Sequence, residues 1–184
     1  STARDTFPQL SADGLHIAFQ SARGGEMDIW AARTDGTGLV QITKNHGTSN
    51  GSPRWSPDGR WLLFDSSGKD GQLDVWVVEA GGGQPRQLTH GPGNSGIPSW
   101  SRDGKRMYFN SDRTGRPEIW RIPIEGGDAE QITRKGGFVG LESADGQTLY
   151  YTKNDTGSDG MYAQPLAGGD EKHVVSRVVV RRCF

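Results

Sequence analysis

"SPRWSPDGRWLLF" (residues 52–64) joins a proline, a tryptophan, a serine-led Asp-Gly turn and an apolar run, and it returns almost intact as "IPSWSRDGKRMYF" (97–109). Weaker copies surround Asp13-Gly14 and Asp145-Gly146, so the Asp-Gly pairs recur at intervals of 45, 45 and 42 residues. Each pair precedes an apolar stretch: Ile17-Ala18-Phe19, Leu62-Leu63-Phe64, Met107-Tyr108-Phe109 and Leu149-Tyr150-Tyr151. Sixteen or seventeen residues beyond each Gly stands an acidic-aliphatic-Trp triplet, "DIW" (28–30), "DVW" (74–76) and "EIW" (118–120), reduced to "GMY" (160–162) in the last copy. The copies close on Gln41-Ile42-Thr43, Gln87-Leu88-Thr89 and Gln131-Ile132-Thr133, with Lys172-His173-Val174 read as the fourth.

Each copy divides into four short strands. The first is predicted to begin near Pro8, Pro53 or Pro98, with Gly140 at the equivalent place, because a residue without an N–H suits the start of an edge strand. In "SPDG", Pro57 presets φ, Asp58 can bond the local backbone and Gly59 can take positive φ. The apolar run that follows reads as a strand covered on both faces. A variable loop leads to the Trp-bearing third strand, and a Gly-rich hairpin leads to the fourth. No segment has helical periodicity of useful length. Four-stranded units at 40–45 residues predict an all-β fold, a β-propeller of antiparallel four-stranded blades, in which stacking hides faces that one blade cannot bury alone.

The string "WSPDGRWLLFDSS…DVWVVEAGGGQPRQLT" resembles the TolB-like propeller repeat, a relative of WD-type repeats that also forms the propeller domains of prolyl oligopeptidase-like and tricorn-like proteases. The resemblance covers nearly the whole chain. It is closest in the second and third copies, and the fourth has Gly140 and Glu142 in place of the Pro and Trp of "PxWS". Propellers of this family usually have six or seven blades, and only four copies are present. The expected blades span about 7–43, 52–89, 97–133 and 138–175 within a single domain, 1–184. Residues 176–184 ("SRVVVRRCF") fall where a fifth inner strand would begin, or where a tail could cap an edge. Their phase favours a partial propeller over four blades closing alone. An open stack exposes apolar blade ends, so self-association through them is expected.

Composition narrows the function. Of 184 residues, 21 are Lys or Arg and 22 Asp or Glu, and no basic stripe stands ready to neutralise phosphates, which argues against direct nucleic-acid binding. The 28 glycines serve many tight turns, and six Trp, six Phe and four Tyr supply core volume. Cys183 is the single cysteine, so neither an internal disulfide nor a Cys-rich zinc site can form. No apolar run approaches membrane-spanning length, and no membrane insertion is expected. The compartment is not readable: the resemblance to the TolB-like family implies a periplasmic protein, and the lone cysteine fits a cytoplasmic one equally.

Catalytic and cofactor chemistry find no foothold. The one G-x-S-x-G match, Gly47-Thr48-Ser49-Asn50-Gly51, has no helical pattern after it to make a nucleophile turn, and His16, His46, His90 and His173 are dispersed without zinc spacing. One Asp per Asp-Gly turn is turn chemistry and not a calcium loop. The acids before the third-strand Trp (Asp28, Asp74, Glu118) read as structural partners of a backbone or hydroxyl group. "KNDTGSDG" (153–160) holds two nearby carboxylates, Asp155 and Asp159, and no metal or other cofactor is assigned there. His46 and His90 read as solvated loop histidines. Tryptophans at fixed phase (Trp30, Trp55, Trp76, Trp100, Trp120) read as core, leaving Trp61 at a core edge or surface.

The remaining surface is the set of loops joining second to third strands and fourth to first strands, which share one side of a propeller and vary between copies. From it Arg23, Asn50, Lys69, Asn94, Arg113 and Lys153 are taken as candidate binding residues, with Glu26, Asp70 and Asp112 beside them. The resemblance to TolB implies a non-catalytic module that binds a protein or peptide through this loop face. The alternatives are an accessory propeller of a larger serine-peptidase-type hydrolase, or the sensor domain of a regulator.

Overall fold

The computed structural model describes residues 4–44, 46–156 and 159–176. These form sixteen strands and no helix, arranged as four antiparallel sheets of four consecutive strands each. The first sheet comprises β1 (Asp5–Leu10), β2 (His16–Ser21), β3 (Asp28–Arg33) and β4 (Val40–Gln41). The second comprises β5 (Ser49–Trp55), β6 (Trp61–Ser67), β7 (Leu73–Glu79) and β8 (Arg86–Gln87). The third comprises β9 (Ser95–Trp100), β10 (Arg106–Ser111), β11 (Glu118–Pro123) and β12 (Glu130–Gln131). The fourth comprises β13 (Gly140–Glu142), β14 (Thr148–Tyr151), β15 (Met161–Pro165) and β16 (Lys172–Val175). This is the all-β architecture of propeller blades read from the repeat. The described residues divide into two compact units, 4–98 and 99–176, with the division inside β9. Of the expected fifth-strand segment 176–184, all but Ser176 lies outside the described residues.

The recurring turn is built as its residues dictate. Ser11, Ser56, Ser101 and Ser143 each donate a hydroxyl to the Asp two positions on, at 2.5–2.6 Å. Each serine oxygen also accepts the N–H that opens the second strand, from His16, Trp61, Arg106 and Thr148. The serine hydrogen bonds hold the carboxyls of Asp13, Asp58, Asp103 and Asp145 below the usual aspartate value. Gly14, Gly59, Gly104 and Gly146 close the turns at φ near +70° (69–71°), where a side chain would be strained.

The first strands differ from expectation. They begin at Asp5, Ser49 and Ser95, ahead of the prolines that were to start them. Phe7, Ser52 and Ile97, each just before its proline, have φ of +52°, +49° and +50°. The ladders break there, between Thr6 and Gln9 and between Gly51 and Arg54. The proline therefore sits in a bulge, where its missing N–H breaks no ladder bond. A left-handed φ is costly for bulky or β-branched residues, and polar side chains of the second strand brace these sites. Gln20 accepts from the Thr6 hydroxyl at 3.0 Å and donates to the Asn50 carbonyl at 2.8 Å. Asp65 accepts the Ile97 N–H at 3.0 Å, and burial pushes its carboxyl upward against the opposing pull of that bond, Ser52 and Arg54.

Within the first unit, Ala18, Ile29, Ala31 and Ile42 of one blade close against Trp55, Leu62, Phe64 and Val78 of the next. Within the second unit, Tyr108 and Ile119 close against Leu149 and Tyr151. Each pair thus sets the forward face of one sheet on the rear face of its follower. No helix among the described residues is long and apolar enough to cross a membrane.

Candidate functional site

The acids before the third-strand tryptophans are clasps. Asp28 accepts the Thr43 hydroxyl and the Gln41 amide, both at 2.7 Å. Asp74 accepts Thr89 at 2.8 Å and Gln87 at 3.0 Å, and Glu118 accepts Thr133 at 2.7 Å. Each threonine oxygen in turn accepts the N–H of Ile29, Val75 or Ile119 at 2.8–2.9 Å. "D/E-x-W" and "QxT" are therefore two halves of one lock between third and fourth strands, which accounts for their recurrence together. In the fourth blade Tyr162 pairs with His173 as Trp30 pairs with Gln41. The counterpart of "QIT" is thus His173-Val174-Val175, one residue later than the sequence alignment placed it, and Gly160 and Val175 leave no clasp.

In the first, third and fourth blades a basic group is laid on aromatic rings of the second and third strands. Arg23 covers Phe19 and Trp30 at 4.8 and 5.4 Å, and Arg113 covers Phe109 and Trp120 at 5.3 and 4.9 Å. Both arginines donate Nε to a serine two residues back, Ser21 and Ser111, and Arg23 also pairs with Asp5 at 2.7 Å. Lys153 lies 4.0 Å from the Tyr162 ring and pairs with Glu171 at 2.7 Å. In the second blade His46 stands edge-on to Phe64 and Trp76 at 5.5 and 4.4 Å. It is half-buried and not the solvated loop histidine expected; burial lowers its pKa, against the pull of Asp28.

Four of the six candidate residues are thereby tied into the frame. Arg23, Arg113 and Lys153 are the ring covers. Asn50 is buried, and its amide reaches Asp28 at 3.0 Å and the His46 carbonyl at 2.6 Å, linking the first and second blades. Lys69 and Asn94 are exposed, and the Asn94 side-chain oxygen Oδ1 accepts the Leu73 N–H at 3.1 Å.

In the second and third blades the two loop sets lie on one side. In the second blade Gln72 donates to the Gly91 carbonyl at 2.9 Å, joining the loop after β6 to the loop after β8. In the third, Gly137 donates to Pro117 at 3.0 Å, and the Arg116 guanidinium reaches the Arg134 carbonyl. Here the surface opens into a cleft of about 470 Å³ lined by Thr114, Gly115, Arg116, Glu118, Gln131 and Arg134. A second cleft of about 440 Å³ shares Gln131 and Arg134 and continues past Lys135 and Gln164 to Glu171. Arg134 and Lys135 are exposed at this junction, while Arg116 is paired with Glu118 at 2.7 Å. Sequence reading passed over Arg116, whose position does not repeat, and Arg134, which follows Q-x-T where Lys44 and His90 stand in the first two copies. Among the described residues no group of three or more His, Cys, Asp or Glu is placed to hold a metal ion.

Comparison with known proteins finds the TolB beta propeller domain family over residues 8–179. An uncharacterized protein of Agrobacterium fabrum is 33% identical over 130 residues, 67% of this chain and 42% of that protein. The uncharacterized peptidase YuxL of Bacillus subtilis is 34% identical over 109 residues, 55% of this chain and 16% of that protein. The Tol-Pal system protein TolB of Bordetella pertussis is 32% identical over 123 residues, 66% of this chain and 28% of that protein. The crystal structure of TolB from Acinetobacter baumannii superposes with a TM-score of 0.77 at 26% identity, covering 93% of this chain and 43% of that one. The chain spans less than half the length of each of these proteins.

Proposed function

Because this chain belongs to the TolB beta propeller domain family, we propose that it is a non-catalytic module that takes a protein or peptide on the side where its loops meet. The carrying observation is the contrast within that side. Its repeated polar residues are consumed by clasps and ring covers, whereas Lys69, Arg134 and Lys135 stand exposed with side chains that differ from blade to blade. A rigid frame carrying non-repeating exposed side chains is how loops acquire specificity. Clefts of a few hundred Å³ lined by backbone, amide and guanidinium groups suit an extended polypeptide better than a small apolar ligand.

The test is capture of a partner from cells of the source organism by immobilised protein, compared across variants. Lys69→Glu with Asn94→Lys, and Arg116→Glu with Arg134→Glu, should each lower capture at least several-fold. Lys105→Glu, in the Asp-Gly turn of the third blade, should leave it unchanged. Equal capture by all three would sink the loop-face reading.

A second reading has its own support in the peptidase relative: the same module would orient substrate for a hydrolase domain in a longer polypeptide. An active-site-directed fluorophosphonate probe applied to the full open reading frame separates the two. Labelling of a second domain favours the accessory role, and no labelling favours the binder.

A further inference from the structure

Internal ion pairs leave the charge that faces the two clefts of the second unit sorted by position. At the loop end Arg134 and Lys135 are exposed, and the Arg116 side chain is 57% exposed although it reaches Glu118. Of the acids lining the clefts, two are consumed. Glu118 is 1% exposed and accepts from Thr133, Gly136 and Arg116, while Glu171 is held by Lys153 at 2.7 Å. At the other end, the hairpin between β15 and β16 borders the start of β12, and the exposed charges there are negative. Asp170 is exposed on that hairpin, and the Glu130 side chain is 62% exposed even with Arg121 bound to its Oε2.

Between the two ends the floor is apolar. Ile132, Pro165 and Leu166 line it half-buried, and Ile132 and Leu166 also pack on the core of Tyr108, Ile119, Leu149 and Tyr151. The fold therefore holds this floor in place. Ala167, Gly168 and Gly169 border it with little side chain to obstruct an occupant. Glu130 and Arg134 are four positions apart, about 13 Å along an extended chain. The trough thus has a basic end, an apolar middle and an acidic end.

We infer that the joined clefts take one extended peptide with its acidic residues over Arg116, Arg134 and Lys135, apolar side chains on Ile132, Pro165 and Leu166, and basic residues beside Glu130 and Asp170. The inference rests on the reading of the loop side as a polypeptide-binding surface and adds the chemistry of that polypeptide. Charge complementarity selects the occupant. A nucleic acid or other polyanion drawn to the loop end would meet the carboxylates of Glu130 and Asp170 as it left. A wholly basic peptide would meet Arg134 and Lys135. Acid and base about four residues apart in one strand satisfy both ends at once.

Fluorescence anisotropy with short fluorescein-labelled peptides tests this on the full chain. The bipolar probes carry two Glu, a Val-Leu-Val centre and two Lys, in both chain directions. A neutral probe has Ser at every charged position, a basic probe has Lys there, and a single-stranded oligonucleotide stands for polyanions. One bipolar probe should bind about fivefold more tightly than the neutral probe, as one or two exposed ion pairs allow, and salt should erode the gain. Arg134→Glu with Lys135→Glu should abolish that gain and improve binding of the basic probe, a reversal that a misfolded variant could not produce. Asp170→Lys should reduce the gain. These side chains are exposed, and far-UV circular dichroism checks that the variants keep their fold. Three outcomes overturn the inference: bipolar probes that bind no better than the neutral one, a gain that survives Arg134→Glu with Lys135→Glu, or an oligonucleotide that binds more tightly than either bipolar probe. Partner capture judges the loop-face reading separately, since that reading stands if capture falls in the loop variants and fails if capture is unmoved, whatever the probes do.

Discussion

The first three blades and the fourth share a strand order and a serine–aspartate turn, yet they are fastened differently. In the first three an acid on the third strand locks a threonine before the chain leaves for the next blade. In the fourth the acid is replaced by Gly160, and the load moves to Glu171, which accepts the Tyr151 hydroxyl and pairs with Lys153. That network also stacks Tyr151 on Tyr162 at 5.7 Å, and burial with the Glu171 carboxylate pushes the Tyr151 hydroxyl well above its ordinary pKa. The backbone plan therefore does not depend on one particular fastening. What each blade requires is that the buried donors and acceptors between its outer two strands be satisfied.

The largest expected effect comes from trying to erase the difference. Gly160→Asp would restore the acid, but Gly160 has φ of +85°, and an added Cβ would lie 2.0 Å from the Val175 carbonyl. Urea unfolding should show a loss of about 3–5 kcal/mol from left-handed strain and the clash together; a neutral result would mean that the fourth blade can adopt the clasp geometry. Glu118→Ala should cost about 3 kcal/mol, because Thr133, Gly136 and Arg116 lose a buried acceptor at once. Glu171→Ala should cost less, about 2 kcal/mol, since the Glu171 side chain is 17% exposed where that of Glu118 is 1%. If it costs more than Glu118→Ala, the fourth blade is the more tightly fastened of the two. Thr133→Val, which keeps the shape and removes one hydroxyl, should cost about 1 kcal/mol.

The smallest effect is the one that all four blades share. Serine hydrogen bonds lower the pKa values of Asp13, Asp58, Asp103 and Asp145 from the ordinary 3.8, so the folded state favours their ionised forms. Their contribution is fully present above about pH 4 and is lost as the pH falls through the lowered folded values, where the unfolded chain has already taken up its protons. Replacing Asp58 by Asn should flatten the acid limb of stability against pH, and Asp145→Asn should do so similarly. A marked inequality between them would place the blades' difference in the turn as well as in the clasp.

The fold was legible because repetition exposes geometry: Asp-Gly at a fixed interval and Trp at a fixed phase admit few arrangements besides stacked four-stranded sheets. The starts of the first strands were not legible, since a proline at an edge and a proline in a bulge look alike until Phe7, Ser52 and Ile97 show their positive φ. Within the candidate site, the acids before Trp were recognisable as structural partners, but the identity of their partners, fifteen residues on, was not. Arg23 and Arg113 carried a usable signal: both follow a serine by two residues at the same phase, and the reasoning that assigned the tryptophans to the core assigns these to the frame. Arg116 carried no such signal, and although Arg134 follows Q-x-T as Lys44 and His90 do, its meeting with Arg116 depends on a loop path that no period encodes.

The outermost strands β4, β8 and β12 are two residues long, whereas β16 runs for four, Lys172–Val175. A free sheet edge is a template on which another chain can lay down its own hydrogen-bond ladder, and two residues offer too little length for such a graft to hold. The first three blades are in this sense blunted against amyloid-like growth by the brevity of their rims. The fourth carries a longer rim with Val174 and Val175 in view, and Lys172 at its start is the charge that stands guard there.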